Sequence, residues 1–208
     1  MKKFLLVDDH MVVRSGIKTI LSEIYKQSEI QEAVNGETVI QKLNEHQFDL
    51  ILLDIHMPRT DTLALLEHIH KNYSGAKVLI FSMSAENIYA KRFIKAGAMG
   101  FVSKESPLEE ITNAINIVLN NKKYISKALA EKLAEDSISG KPENPFNSLS
   151  PKEFEILSLI LSGKTVTEIA GSQHLHTSTI GTHKARILEK MGAKNILELK
   201  ELATMHNL

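Results

Sequence analysis

The chain has 208 residues, no net charge, and a composition ordinary for a folded globular protein, 43% apolar and 24% charged. That length favours two domains, and the lack of cysteine excludes disulfides, thiolate catalysis and cysteine-type zinc sites. The apolar run in "MKKFLLVDDH" is too short for a signal-peptide core and no stretch approaches a membrane span. A cytoplasmic protein with no membrane partner is expected. Residues 148–208 carry seven basic against six acidic residues, so any nucleic-acid reading must rest on pattern rather than bulk charge.

Over the first 120 residues short apolar runs alternate with helical periodicity. "FLLV" (4–7) reads as a buried strand, followed by a helix over 11–25. "IQEAV" (30–34) is a weaker strand before a helix at 36–46. "LILL" (50–53) is a third strand, and the helix after it, 61–72, has Asp61 as its expected N-cap. "KVLIF" (77–81) precedes a helix over 85–96 that Gly97 ends. "GFVS" (100–103) precedes a helix over 106–121, with Ser106 at N-cap and Pro107 at N1. Five βα units in series predict a five-stranded parallel sheet, flavodoxin-like, of order 2-1-3-4-5, with helices on both faces. Residues 123–135 continue with helical character, and 136–147 hold glycine, proline, serine and asparagine, the composition of a flexible linker. Beyond Leu149 the pattern is purely helical, with segments at 150–163, 165–173, 177–191 and 195–206. The first opens with Ser150, Pro151 and Glu153 in the spacing of a capping box. Helix, turn, short helix, turn and longer helix is the helix-turn-helix layout. The predicted domains are therefore 1–122, a linker 123–147 that is helical and then flexible, and an all-α domain 148–208 of four helices.

The strand ends carry the chemistry. Asp8 and Asp9 follow the first strand, Asp54 the third, Ser82 the fourth and Lys104 the fifth. In the expected strand order these ends converge on one crevice. Three carboxylates there repel and call for a cation, and an all-oxygen donor set suits Mg²⁺. An ammonium and a hydroxyl beside a metal-bound carboxylate suit a phosphoryl group, with Asp54 as the nucleophile that forms an acyl phosphate. Taken singly, each residue has a plainer explanation: a strand-end cap, a loop hydroxyl, a solvated lysine. Their conjunction at four strand ends points to the phosphoryl site.

The motifs "LLVDDH", "LLDIHMP", "FSMS" and "FVSKESP" resemble the receiver domain of two-component response regulators over about 120 residues. The resemblance implies that Asp54 is the phosphoacceptor, that Asp9 binds Mg²⁺ directly and Asp8 largely through water, and that His56 adds its backbone carbonyl. It makes Lys104 the phosphate-binding lysine and Ser82 with Phe101 the switch pair, the hydroxyl moving to the phosphoryl group and the ring turning inward. Two positions depart from the family pattern. Thr62 stands where glycine is usual, and Met83 is bulkier than the usual residue after the switch hydroxyl.

Residues 149–199 resemble the LuxR-type helix-turn-helix, through "LSPKE", the Gly163 turn, "EIA" and the Thr-Ile-x-x-His-x-x-x-Ile-x-x-Lys-Met pattern. A receiver joined to this module is the NarL/FixJ class. The helix at 177–191 is expected to bury Ile180, Ile187, Leu188 and Met191 and to offer Thr179, Thr182, His183, Lys184, Arg186 and Lys190 to DNA. Gly181 and Ala185 offer no polar group there, which leaves Thr182 and Lys184 as the favoured base contacts.

The resulting expectation is a transcription regulator and not a turnover enzyme. A histidine kinase phosphorylates Asp54 with Mg²⁺, and the phosphorylated chain forms a homodimer on promoter DNA. Two other readings stand beside it. A phosphatase using Asp54 as a transient nucleophile would want a second acid two residues on, where this chain has His56. A regulator independent of phosphate would have a vestigial site, whereas Asp8, Asp9, Asp54, Ser82 and Lys104 are all present.

Overall fold

The computed structural model describes residues 1–73, 75–84, 86–131, 134, 144–173, 175–206 and 208. The chain forms two compact units, Met1–Gly140 and Lys141–Leu208.

The first unit runs β1 (Lys2–Val7), α1 (Met11–Ile24), β2 (Ser28–Ala33), α2 (Gly36–Glu45), β3 (Leu50–Leu53), α3 (Thr62–Asn72), β4 (Val78–Ser82), α4 (Glu86–Lys95), β5 (Gly100–Ser103) and α5 (Leu108–Leu119). The strands form one parallel sheet of order β2-β1-β3-β4-β5, as the alternation predicts. Every residue of β3 and β4 is buried, which explains their unbroken apolar runs: a parallel strand with both faces covered has no polar side. Phe4, Leu6, Leu50, Leu52, Leu79, Phe81 and Val102 pack with α1 and α5 on one face. The alternate residues Leu5, Val7, Ile51, Leu53, Ile80 and Phe101 are buried as well, and so face the remaining helices. β2 is the polar edge strand, only partly covered.

Local chemistry sets most helix starts. Asn35 and Thr38 form a reciprocal capping box on α2, and Asp61 caps α3 through the Ala64 N–H. The start of α5 differs from expectation. Pro107, not Ser106, is the N-cap, and no side chain caps the helix. The N–H of Ser106 instead donates to the Ser103 carbonyl in a turn leaving β5.

The segment after α5 also departs from a simple helix. Tyr124 is extended and bridges Gly100 in parallel, its N–H donating to the Met99 carbonyl at 2.8 Å. Its ring joins the core, and its hydroxyl donates to Glu110 at 2.7 Å. Ser126 then donates to Glu86 at 2.6 Å, and residues 127–131 are helical with Leu129 buried. Most of the expected flexible linker lies outside the described residues.

The second unit opens with a 3-10 turn, Pro145–Ser148, whose Phe146 is buried. The sequence pattern assigns this stretch to the linker, but the aromatic ring belongs to the core of the helical unit. Four helices follow: α6 (Pro151–Leu161), α7 (Val166–Ser172), α8 (Thr177–Met191) and α9 (Ile196–Met205). Ser150 and Glu153 form the expected capping box on α6, and Thr165 with Glu168 forms another on α7. Gly192 adopts the left-handed conformation, with φ of 64°, that stops α8. α8 packs against α6, α7 and α9, burying Ile180, Ile187 and Met191.

Candidate functional site

The parallel register brings the chemistry together. Val7 pairs with Leu53, so Asp8 and Asp54 emerge side by side, and the Asp54 N–H donates to the Val7 carbonyl. Ser82 pairs with Ser103, so Lys104 leaves β5 beside the Ser82 carbonyl, to which its N–H donates at 3.0 Å. Asp8 and Asp54 are 4% and 3% exposed, and Ser82 is fully buried.

Lys104 Nζ lies 2.6 Å from Asp8 Oδ2 and 2.7 Å from Asp54 Oδ2. The Asp54 contact is a hydrogen bond, whereas Asp8 Oδ2 receives no aligned hydrogen bond and is held by charge. Asp54 Oδ1 accepts from the Ser82 hydroxyl and from the Ile55 N–H, each at 2.7 Å. Asp9 is more exposed and faces His10, whose Nδ1 lies 2.9 Å from Asp9 Oδ1 and 3.1 Å from Asp8 Oδ1. The arrangement therefore holds three carboxylates against one lysine and an imidazole. Donor atoms of Asp8, Asp9, His10 and Asp54 lie within 4.8 Å of one another. Three carboxylates around one ammonium, an excess of hard oxygen donors, fit a divalent cation such as Mg²⁺.

His10 and Ser84 are the members of this site that sequence reasoning missed. His10 carries a signal, its place beside the Asp-Asp pair, but only the turn into α1 shows that its ring folds back. Ser84 Oγ lies 2.7 Å from His56 Nε2, and the His56 ring meets Tyr89 edge-on at 6.0 Å. Phe101 is fully buried, so no exposed ring waits to turn inward. Thr62 is accommodated at the start of α3. It is buried, and its hydroxyl donates to the Ile55 carbonyl at 2.7 Å, tying the β3–α3 loop to α3. Met83 is exposed.

On α8, Thr182 and Arg186 are exposed, while Thr179, Lys184 and His183 are partly covered. Nδ1 of His183 is buried. Lys190 donates to Glu153 at 2.7 Å and to the Ser148 carbonyl at 3.3 Å, so its ammonium is engaged within the unit. Leu188 is only partly buried, unlike the other apolar residues of its stripe.

A doubly wound receiver sheet with a carboxylate crevice, followed by a helix-turn-helix unit, defines a class of signalling transcription regulator. Residues 4–116 match the response regulator receiver domain family, and residues 147–203 match the family of bacterial regulatory proteins of the luxR type. The chain belongs to the response regulators of the NarL/FixJ type, with a receiver domain and a LuxR-type DNA-binding domain. Response regulator UvrY of Escherichia coli (strain K12) is 32% identical over 205 residues, covering 98% of this chain and 94% of its own. Response regulator GacA of Pseudomonas aeruginosa is 32% identical over 209 residues, covering 100% and 98%. Among solved structures, the RcsB response regulator of Salmonella typhimurium shares the fold with a TM-score of 0.62 at 22% identity, covering 98% of this chain and all of that one. No helix among the described residues is long and apolar enough to cross a membrane.

Proposed function

We propose that this response regulator is switched by Mg²⁺-dependent phosphorylation of Asp54 by a cytoplasmic histidine kinase, and that phosphorylation drives a homodimer onto promoter DNA. The observation that carries this reading is the double engagement of Asp54, one oxygen on Lys104 and the other on Ser82, each at 2.7 Å. An Asp54 oxygen attacks the phosphorus of a phosphohistidine. The P–N bond breaks, the imidazole leaves with its electron pair, and the P–O bond of an acyl phosphate forms. Asp9, Asp54, Asp8 largely through water and the His56 carbonyl would hold Mg²⁺, which would supply positive charge to the phosphoryl group.

The protein's own donors then follow the charge. With Asp54 phosphorylated, the Lys104 ammonium and the Ser82 hydroxyl turn to phosphoryl oxygens, where they stabilise charge in a buried, weakly screened site. Movement of Ser82 draws on the loop that leads into α4, the element that carries Glu86 against Ser126. Thr182, Lys184 and Arg186 meet phosphates and base edges, with Thr179 and His183 beside them. RcsB of Salmonella enterica has been solved bound to promoter DNA in the presence of a phosphomimetic, which agrees with this use of the fold.

The test compares wild type with Asp54→Ala, each treated with acetyl phosphate and Mg²⁺. Sedimentation velocity reads the dimer, and fluorescence anisotropy reads binding to genomic promoter fragments. Dimerisation and tighter binding are expected in wild type alone. Equal dimerisation and binding in Asp54→Ala would contradict the proposal and favour a regulator that works without phosphate.

A further inference from the structure

His10 lies at the carboxylate cluster, and neither the strand-end chemistry nor the receiver resemblance assigns it a role. It is the N-cap of α1, and its N–H donates to Asp8 Oδ1 at 2.8 Å. That bond fixes the backbone, while the side chain is 66% exposed and can exchange partners without disturbing the core. Its Nδ1 lies 3.1 Å from Asp8 Oδ1 and 2.9 Å from Asp9 Oδ1. An octahedron with bonds of about 2.1 Å has edges of about 3.0 Å. The ring nitrogen thus stands at a ligand-to-ligand spacing from Asp9, the carboxylate assigned to direct contact with the metal. The other pointer to a cation is the charge balance: Asp8 Oδ2 and Asp54 Oδ2 share the one Lys104 ammonium, at 2.6 and 2.7 Å, and Asp9 adds a third carboxylate beside them.

We propose that His10 sets the cation preference of this site, acting as an imidazole ligand that favours later first-row divalent ions over Mg²⁺. The inference rests on the proposed reading that Asp8, Asp9 and Asp54 hold a divalent cation. Oxygen-only donor sets suit Mg²⁺, whereas imidazole suits later first-row ions such as Co²⁺, Ni²⁺ and Zn²⁺. In binding such an ion, Nδ1 supplies its lone pair and the ring carries its proton on Nε2. His56, also beside Asp54 in sequence, has its Nε2 committed to Ser84. Of the two, His10 is the imidazole whose nitrogen faces the carboxylates.

Co²⁺ is the probe, because a ligated ring gives a contact-shifted, exchangeable imidazole N–H signal in proton NMR. Full-length wild type, His10→Ala and Asp9→Asn are titrated with Co²⁺ and with Mg²⁺ by calorimetry, separately and in competition. Competition by Mg²⁺ separates this site from the other histidines of the chain. The expected result is a shifted N–H signal in wild type that Mg²⁺ displaces. His10→Ala loses that signal and about tenfold or more in Co²⁺ affinity, while its Mg²⁺ affinity stays within about twofold. Asp9→Asn weakens both ions. An unchanged ratio of Co²⁺ to Mg²⁺ affinity in His10→Ala, with Mg²⁺ binding intact, would overturn the role of His10 alone. Failure of wild type to bind Mg²⁺ at all would overturn the underlying cation site and this inference with it.

Discussion

Lys104 stands between two buried carboxylates, 2.6 Å from Asp8 and 2.7 Å from Asp54, with little of any of the three side chains exposed. Such a group is hard to remove, because it leaves charge in a poorly solvated place. Lys104→Met is expected to destabilise the receiver by about 3–5 kcal/mol in metal-free urea unfolding. Added Mg²⁺ should recover more stability in the variant than in wild type, since the cation then replaces the missing ammonium. An unchanged midpoint would show that the two carboxylates do not depend on Lys104. Asp8, Asp9, Asp54, Ser82 and Lys104 were legible in the sequence because a parallel sheet delivers all its strand ends to one edge. His10 was not, because its role depends on a turn that folds the ring back. The engagement of Lys190 by Glu153 was hidden for a related reason. Helical periodicity puts it on the polar face of α8, but its partner Glu153 lies on α6, beyond the reach of any local pattern.

Glu153 also shows how an element end can hold a domain together. Its carboxylate accepts from the Ser150 N–H and from Lys190, each at 2.7 Å, so one residue caps α6 and ties it to α8. Burial pushes its carboxyl up, but Lys190 and the Ser150 N–H outweigh burial and hold it below the ordinary glutamate range. A pKa depressed in the folded state contributes stability at neutral pH that is lost as pH falls through the folded value. Glu153→Gln is therefore expected to lower the stability of the helical unit by about 1–2 kcal/mol near neutral pH. Calorimetry at falling pH should show the gap closing on the acid side of the folded pKa; a gap independent of pH would contradict the ion pair. At the other end of the chain's regular structure, Gly100 lets Tyr124 lie against β5. A Cβ there would stand 2.8 Å from the Tyr124 carbonyl oxygen and 2.9 Å from its Cβ. Gly100→Ala is expected to cost about 1–3 kcal/mol and to expose residues 124–131 to limited proteolysis. Unchanged cleavage would mean that the bridge does not hold the segment. Strand order and most helices could be read from periodicity and caps. The extended start of this segment could not, since "KKYISKALAE" has helical composition and the room for Tyr124 against β5 is set by a glycine distant in sequence.

For the molecule as a whole, the receiver and the helix-turn-helix must act on DNA with a chain of zero net charge, so binding rests on a few placed groups. Arg186→Ala and Lys184→Ala should weaken binding of the phosphorylated protein evenly across sequences and reduce the salt slope by about 1 each. Lys190→Ala should appear first as lost thermal stability, because its ammonium is engaged by Glu153. Anisotropy titrations over a range of salt concentrations separate the two behaviours, and an equal slope change in all three would contradict the assignment. In the proposed function this binding is controlled by a phosphoryl group on Asp54. The direct measurement is the intact mass of the full-length protein after exposure to a small-molecule phosphodonor with Mg²⁺, for wild type and Asp54→Ala. One added phosphoryl group in wild type, abolished by EDTA and absent in the variant, is the predicted result. An equal addition in Asp54→Ala, or none in wild type with either the donor or a phosphorylated histidine kinase, would contradict it.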